Sequence, residues 1–140
     1  MDMDGARAYG KYRRMQVNTA TPGQLVLMLY EAGSRWAREG AAALEAKELE
    51  RGHGLLVKAQ DAVTELTSGL NREGGGVLAE NLAGLYEYMH RRLVEANINK
   101  DPEPAREAAA MLSELKEVWT QAVREGNTQL KAAGGLNVGG

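Results

Sequence analysis

The chain has 140 residues, no cysteine, two histidines and a formal net charge of −2. That length is one domain, with room for a core that needs no staples. The missing cysteines exclude disulfides, thiolate nucleophiles and cysteine-ligated zinc, and the slight negative charge argues against nucleic acid as the main partner.

No window approaches the roughly 18 consecutive apolar residues of a membrane span, and the N-terminus lacks the apolar stretch of a secretory signal. Alanine, leucine, glutamate and arginine dominate, and phenylalanine is absent, which favours helices over sheets.

Residues 1–20 show no sustained period. Gly5 and Gly10 weaken any helix there, and Tyr9 and Tyr12 would sit one turn apart if the segment coiled. This reads as a mobile arm, with Lys11, Arg13 and Arg14 as solvated charges balanced by Asp2 and Asp4. Thr21-Pro22-Gly23-Gln24 is a helix start: a threonine cap, proline at the first position, and glutamine closing a capping box. The first helix runs to Glu48, with Leu25, Met28, Leu29, Ala32, Trp36, Ala43 and Leu44 inward. Gly33 and Gly40 interrupt it, marking either close packing or a bend.

Glu48 to Gly54 reads as a connection broken by Gly52 and Gly54. A second helix spans Leu55 to Leu70 on the seam Leu56, Ala59, Val63, Leu66 and Leu70. After the turn Gly74-Gly75-Gly76, a third helix runs to Asn99 on Leu78, Leu82, Leu85, Met89, Leu93 and Ala96, spaced 4, 3, 4, 4 and 3 apart. Asp101 and Pro102 cap and begin a fourth, with Ala105, Ala108, Leu112, Leu115, Trp119 and Ala122 inward and Gly126 at its end. Residues 127–140 read as a loose tail. The expectation is all-α: an antiparallel four-helix bundle over 21–126, preceded by the arm.

Little in the chain suggests catalysis. Ser34, Ser68 and Ser113 lie at helical positions without motif context. Glu87 with His90 is the one Glu-x-x-His pair, and a di-iron bundle needs two. The triple glycine lacks the lysine and the preceding strand of a phosphate loop. Trp36 and Trp119 fall on seams as core residues. Met28, Met89 and Met111 read as adaptable core filler, a residue type that also suits a surface accepting helical peptides. A bundle enzyme would show a stoichiometric metal, and a coiled-coil oligomer would scatter light as a rod. The expectation is a binding protein, not an enzyme, with no cofactor.

The residues also carry a resemblance. Tyr9 with Tyr12, Thr21-Pro22-Gly23-Gln24-Leu25, Leu29-Tyr30-Glu31, Leu70-Asn71, Gly74-Gly75, Asn81-Leu82, Leu85-Tyr86-Glu87-Tyr88-Met89, Arg91-Arg92-Leu93 and Ala96-Asn97 resemble the flagellar secretion chaperone family, FliS. The likeness runs from about Ala8 to Trp119. It departs from the family pattern at Glu87, where aspartate is usual, and at Ala32, where glycine is usual.

The resemblance implies a cytoplasmic helical bundle that binds the C-terminal region of newly made flagellin as helical pieces in its outer grooves. It implies a block on premature polymerisation and delivery to the flagellar type III export gate, with other flagellar regulators as further partners and no nucleic acid, membrane insertion, nucleotide or metal. It also implies an N-terminal arm, here Tyr9 and Tyr12, covering part of a groove.

Helix-in-groove binding needs exposed apolar ridges on a rigid bundle. The off-seam candidates are Val26, Leu27, Tyr30, Val57, Tyr86, Tyr88, Met111 and Val118, each of which either faces a groove or completes the core. The fallback reading is an adaptor for another amphipathic helical partner.

Overall fold

The structure, a computed structural model, describes residues 21–126 and 128–134. The arm expected over residues 1–20 lies outside them. Four long helices follow one another: α1 (Pro22–Glu45), α2 (Leu49–Ser68), α3 (Gly76–Asn99) and α4 (Pro102–Glu125), with a short α5 (Thr128–Ala133) after them. α1 packs most extensively on α2 and α4, and α3 packs on the same two helices from the other side, so α1 and α3 are diagonal. This is the expected four-helix bundle. Its register is marked by ion pairs from Arg106 to Glu45 at 2.9 Å and from Lys116 to Glu31 at 3.5 Å, which set α4 antiparallel to α1.

The helix ends follow the local chemistry. At Thr21 the capping box is complete: its hydroxyl accepts from the Gln24 amide at 3.2 Å, and its amide donates to the Gln24 side chain at 3.0 Å. α1 stops where Lys47 turns left-handed, and the Glu48 amide reaches back to the Ala43 carbonyl at 2.8 Å. α3 ends likewise at left-handed Lys100. Asp101 then caps α4, accepting from the Glu103 amide at 3.0 Å ahead of Pro102.

Two boundaries differ from expectation. α2 begins at Leu49, not Leu55, and contains both Gly52 and Gly54. The reason is packing. A Cβ on Gly52 would lie 2.8 Å from Leu44 Cδ2, and one on Gly40 would lie 2.8 Å from Leu56 Cδ2. The two glycines are where α1 and α2 cross most closely, which settles the role of Gly40 as close packing within one unbroken helix. The tail is likewise not wholly loose. Ala133 of α5 is fully buried, and its carbonyl accepts from the Asn71 amide at 3.2 Å. Gly75 lies beneath it, where a Cβ would meet the Asn71 carbonyl oxygen at 2.5 Å and Ala133 Cα at 2.7 Å.

The core is built from Trp119, Tyr30, Tyr86, Leu44, Leu56, Met89, Leu93, Leu112 and Val63, set among many buried alanines. On α3 the inward seam is Ala79, Leu82, Tyr86, Met89, Leu93 and Ala96. Leu78 is half-buried and Leu85 is 40 % exposed, so both leave the seam assigned to them. Trp36 and Trp119 are inside, as expected, while Met28 and Met111 are half-buried.

Candidate functional site

Of the candidate partner-binding residues, Tyr9 and Tyr12 lie outside the described residues. Tyr30 and Tyr86 are corrected from ridge to core, each only 1 % exposed. Their hydroxyls meet at 2.5 Å across the bundle diagonal, and Tyr30 packs edge-on against Trp119 with ring centroids 6.4 Å apart. Burial is the first cause that pushes both phenols above the ordinary tyrosine range. These two side chains are the diagonal tie of the fold, and Tyr86 also borders the groove between α2 and α3.

The remaining candidates do not form one ridge. Val26 and Leu27 are half-buried against the core near the start of α1. Val57 is half-buried on α2, one turn beyond His53, whose Nδ1 lies 3.1 Å from Asn97 Oδ1 on α3. Tyr88, Met111 and Val118 fall together between α3 and α4. There the Tyr88 hydroxyl donates to the Glu107 carboxylate, at 2.9 and 3.0 Å from its two oxygens, and fixes the register of the antiparallel pair.

From that anchor the two helices supply apolar side chains turn by turn. α3 leaves Leu85 exposed one turn before Tyr88, whereas Leu78 lines a separate pocket with Gly74, Gly75, Gly76, Asn81 and, from α5, Gln129 and Ala132. α4 offers Met111, Leu115 and then Val118, which is 54 % exposed. The groove therefore has a polar end and an apolar run. At the polar end Arg92 donates to Glu107 at 2.6 Å and to Glu95 at 2.7 Å. The Arg92 and then the Tyr88 hydrogen bonds hold the Glu107 carboxyl below its ordinary range, and the bond to Glu107 pushes the Tyr88 phenol up. The Arg91 guanidinium stands 5.9 Å from the centre of the Tyr88 ring.

The other flank of α3 faces α2 across a groove of about 720 Å³. Its lining is mixed: Thr64, Thr67, Ser68, Ala83, Gly84, Tyr86, His90 and Val94 lie between the charges of Arg72, Glu80, Glu87 and Arg91.

Leu85 is the exposed residue that sequence reasoning missed, having placed it in the core. The signal was available, since a seam through Ala79, Leu82, Tyr86, Met89, Leu93 and Ala96 is spaced 3, 4, 3, 4, 3, a more regular rhythm than the one through Leu78 and Leu85. Among the described residues no nucleophile and base are brought together. Ser34 is tied to Ala109, Ser113 and Arg38, and Glu87 pairs with Arg91 at 3.8 Å. Among the described residues there is no cluster of three or more metal-ligating side chains, and no helix is long and apolar enough to cross a membrane.

Comparison with known proteins agrees with this architecture. The family model described as "Flagellar protein FliS" matches residues 5–126. The chain is 37 % identical over 128 residues to a flagellar secretion chaperone FliS of Bacillus subtilis, covering 91 % of this chain and 95 % of the relative. It is 38 % identical over 104 residues to the flagellar secretion chaperone FliSB of Pseudomonas aeruginosa, covering 74 % of this chain and 82 % of that one. A FliS of Salmonella typhimurium is 34 % identical over 119 residues, covering 84 % and 88 % of the two chains.

Proposed function

The chain belongs to the FliS family of flagellar proteins, and we propose that it is a cytoplasmic export chaperone for flagellin. It binds the C-terminal region of flagellin, keeps it from polymerising early and presents it to the flagellar type III export gate. The observation that carries this reading is the apolar run between α3 and α4. Leu85 and Val118 stay exposed there although the core is complete without them, which is what a partner helix needs from a groove. A disordered segment that folds on binding loses conformational entropy, and an extended apolar contact offsets it.

The test is calorimetry with whole flagellin and with flagellin lacking its C-terminal region. Whole flagellin binds and the truncated form does not. Circular dichroism of the isolated C-terminal segment mixed with this chain exceeds the sum of the separate spectra. Equal affinity for both flagellins refutes the reading.

A further inference from the structure

The face between α1 and α4 carries a site of different construction. Ser34 is buried in the contact between these helices. Its Oγ lies 3.0 Å from the Ala109 carbonyl oxygen, 2.8 Å from Ser113 Oγ and 2.8 Å from Arg38 Nη1. A hydroxyl has one proton and a carbonyl only accepts, so Ser34 donates to Ala109 and accepts from both Ser113 and Arg38. A guanidinium has five N–H donors, and this one is tethered through a single nitrogen to a buried oxygen, which leaves the rest of the fork available.

Arg38 borders a cup of about 370 Å³ whose floor is Ala42, Ala109, Ala110 and Ser113, with Arg106 on its rim. Arg106 already holds two carboxylate partners, Glu45 and Glu103. Arg38 has no carboxylate partner among the described residues; its one hydrogen bond there is to Ser34.

We propose that this face docks an α-helix of a partner protein, one that presents an Asp or Glu carboxylate to Arg38 and small or apolar side chains to the alanine floor. Charge complementarity sets the chemistry: a planar fork, pre-oriented from below and not neutralised, matches a carboxylate at two oxygens. The floor sets the shape. Three of its four residues end at Cβ, so a helix laid between α1 and α4 approaches to the short end of the 8–10 Å range of interaxial distances. The site uses the flank of α4 turned away from α3, so it stands apart from the grooves proposed for flagellin, and a second partner can be held at the same time.

The probe is a capped, alanine-rich helical peptide with one central glutamate, and its glutamine counterpart. Each is titrated at low salt into the full isotope-labelled chain, and nuclear magnetic resonance reads the Arg38 Nε–H and the amides of Ala109, Ala110 and Ser113. The glutamate peptide gives a saturable shift at these positions that weakens as salt rises. Its affinity falls about tenfold with the glutamine peptide or in Arg38→Gln, in line with a charge-assisted contact, and Arg38→Lys restores it in part. Arg38 is exposed, so the glutamine variant keeps its circular dichroism and melting curve. Saturating flagellin C-terminal segment leaves the shifts in place. No saturable shift, or equal binding of both peptides, or unchanged affinity in Arg38→Gln, overturns the site. Displacement of the peptide by the flagellin segment overturns its independence, and the peptide titration stands whether or not flagellin binds.

Discussion

Replacing Tyr86 with phenylalanine keeps the ring in the core but strands the Tyr30 hydroxyl. That hydroxyl is buried, and its hydrogen bond to Tyr86 at 2.5 Å ties α1 to α3 across the diagonal. A buried donor left without a partner costs about 1–3 kcal/mol, so Tyr86→Phe and Tyr30→Phe each lose about that much. The double variant removes both unmet needs at once and returns to within about 1 kcal/mol of the wild type, because two apolar groups of matching shape replace a satisfied pair. Urea denaturation of the four proteins closes a double-mutant cycle whose coupling energy measures the tie. Single variants within about 0.5 kcal/mol of wild type, or a double variant whose loss equals the sum of the singles, refute the assignment of these hydroxyls to each other.

The same pair sets an alkaline limit. Tyrosine in an unfolded chain ionises near about 10, and burial raises both folded values above that. The folded state then holds protons that the unfolded state has given up, so the contribution is fully present below about pH 10 and is lost as pH rises through the folded values. The double phenylalanine variant therefore shows a shallower fall in stability above about pH 10 than the wild type.

Further outcomes follow from single contacts. Trp119→Ala, at a side chain only 2 % exposed, costs about 3–5 kcal/mol, and a loss under about 1 kcal/mol in urea melts contradicts the core placement. Gly75→Ala forces a Cβ to within 2.7 Å of the α5 backbone and releases α5, seen as faster hydrogen exchange over residues 128–133 with the four long helices still protected. Gly84→Ala adds a Cβ to a helix interior with open space around it and stabilises the free bundle by about 0.5–1 kcal/mol, read as a higher urea midpoint.

The helices of this fold were legible in the sequence because their signals are local. The Thr21–Gln24 box and the Asp101-Pro102 cap each span no more than four residues, and periodic seams need only one helix to be recognised. What failed depends on residues far apart in the chain. Gly52 looks like a breaker until Leu44 and Gly40 are placed against it across the hairpin. The six residues of α5 gain their place from Gly75 and Asn71, more than fifty positions earlier.

Tyr86 is the most consequential case. Read alone, its phenol suggests a surface position and Leu85 the better core residue. A hydroxyl is at home in a core only when a partner is there to meet it, and that partner, Tyr30, is 56 positions away on another helix. Once the Tyr30 hydroxyl meets it, the α3 seam turns through Tyr86, and Leu85 is left exposed. The exposed leucine that α3 contributes to the groove proposed for flagellin thus owes its position to a hydrogen bond buried inside the bundle. On α3, Leu85 expected in the core and Tyr86 expected on the surface exchange places, for one physical reason.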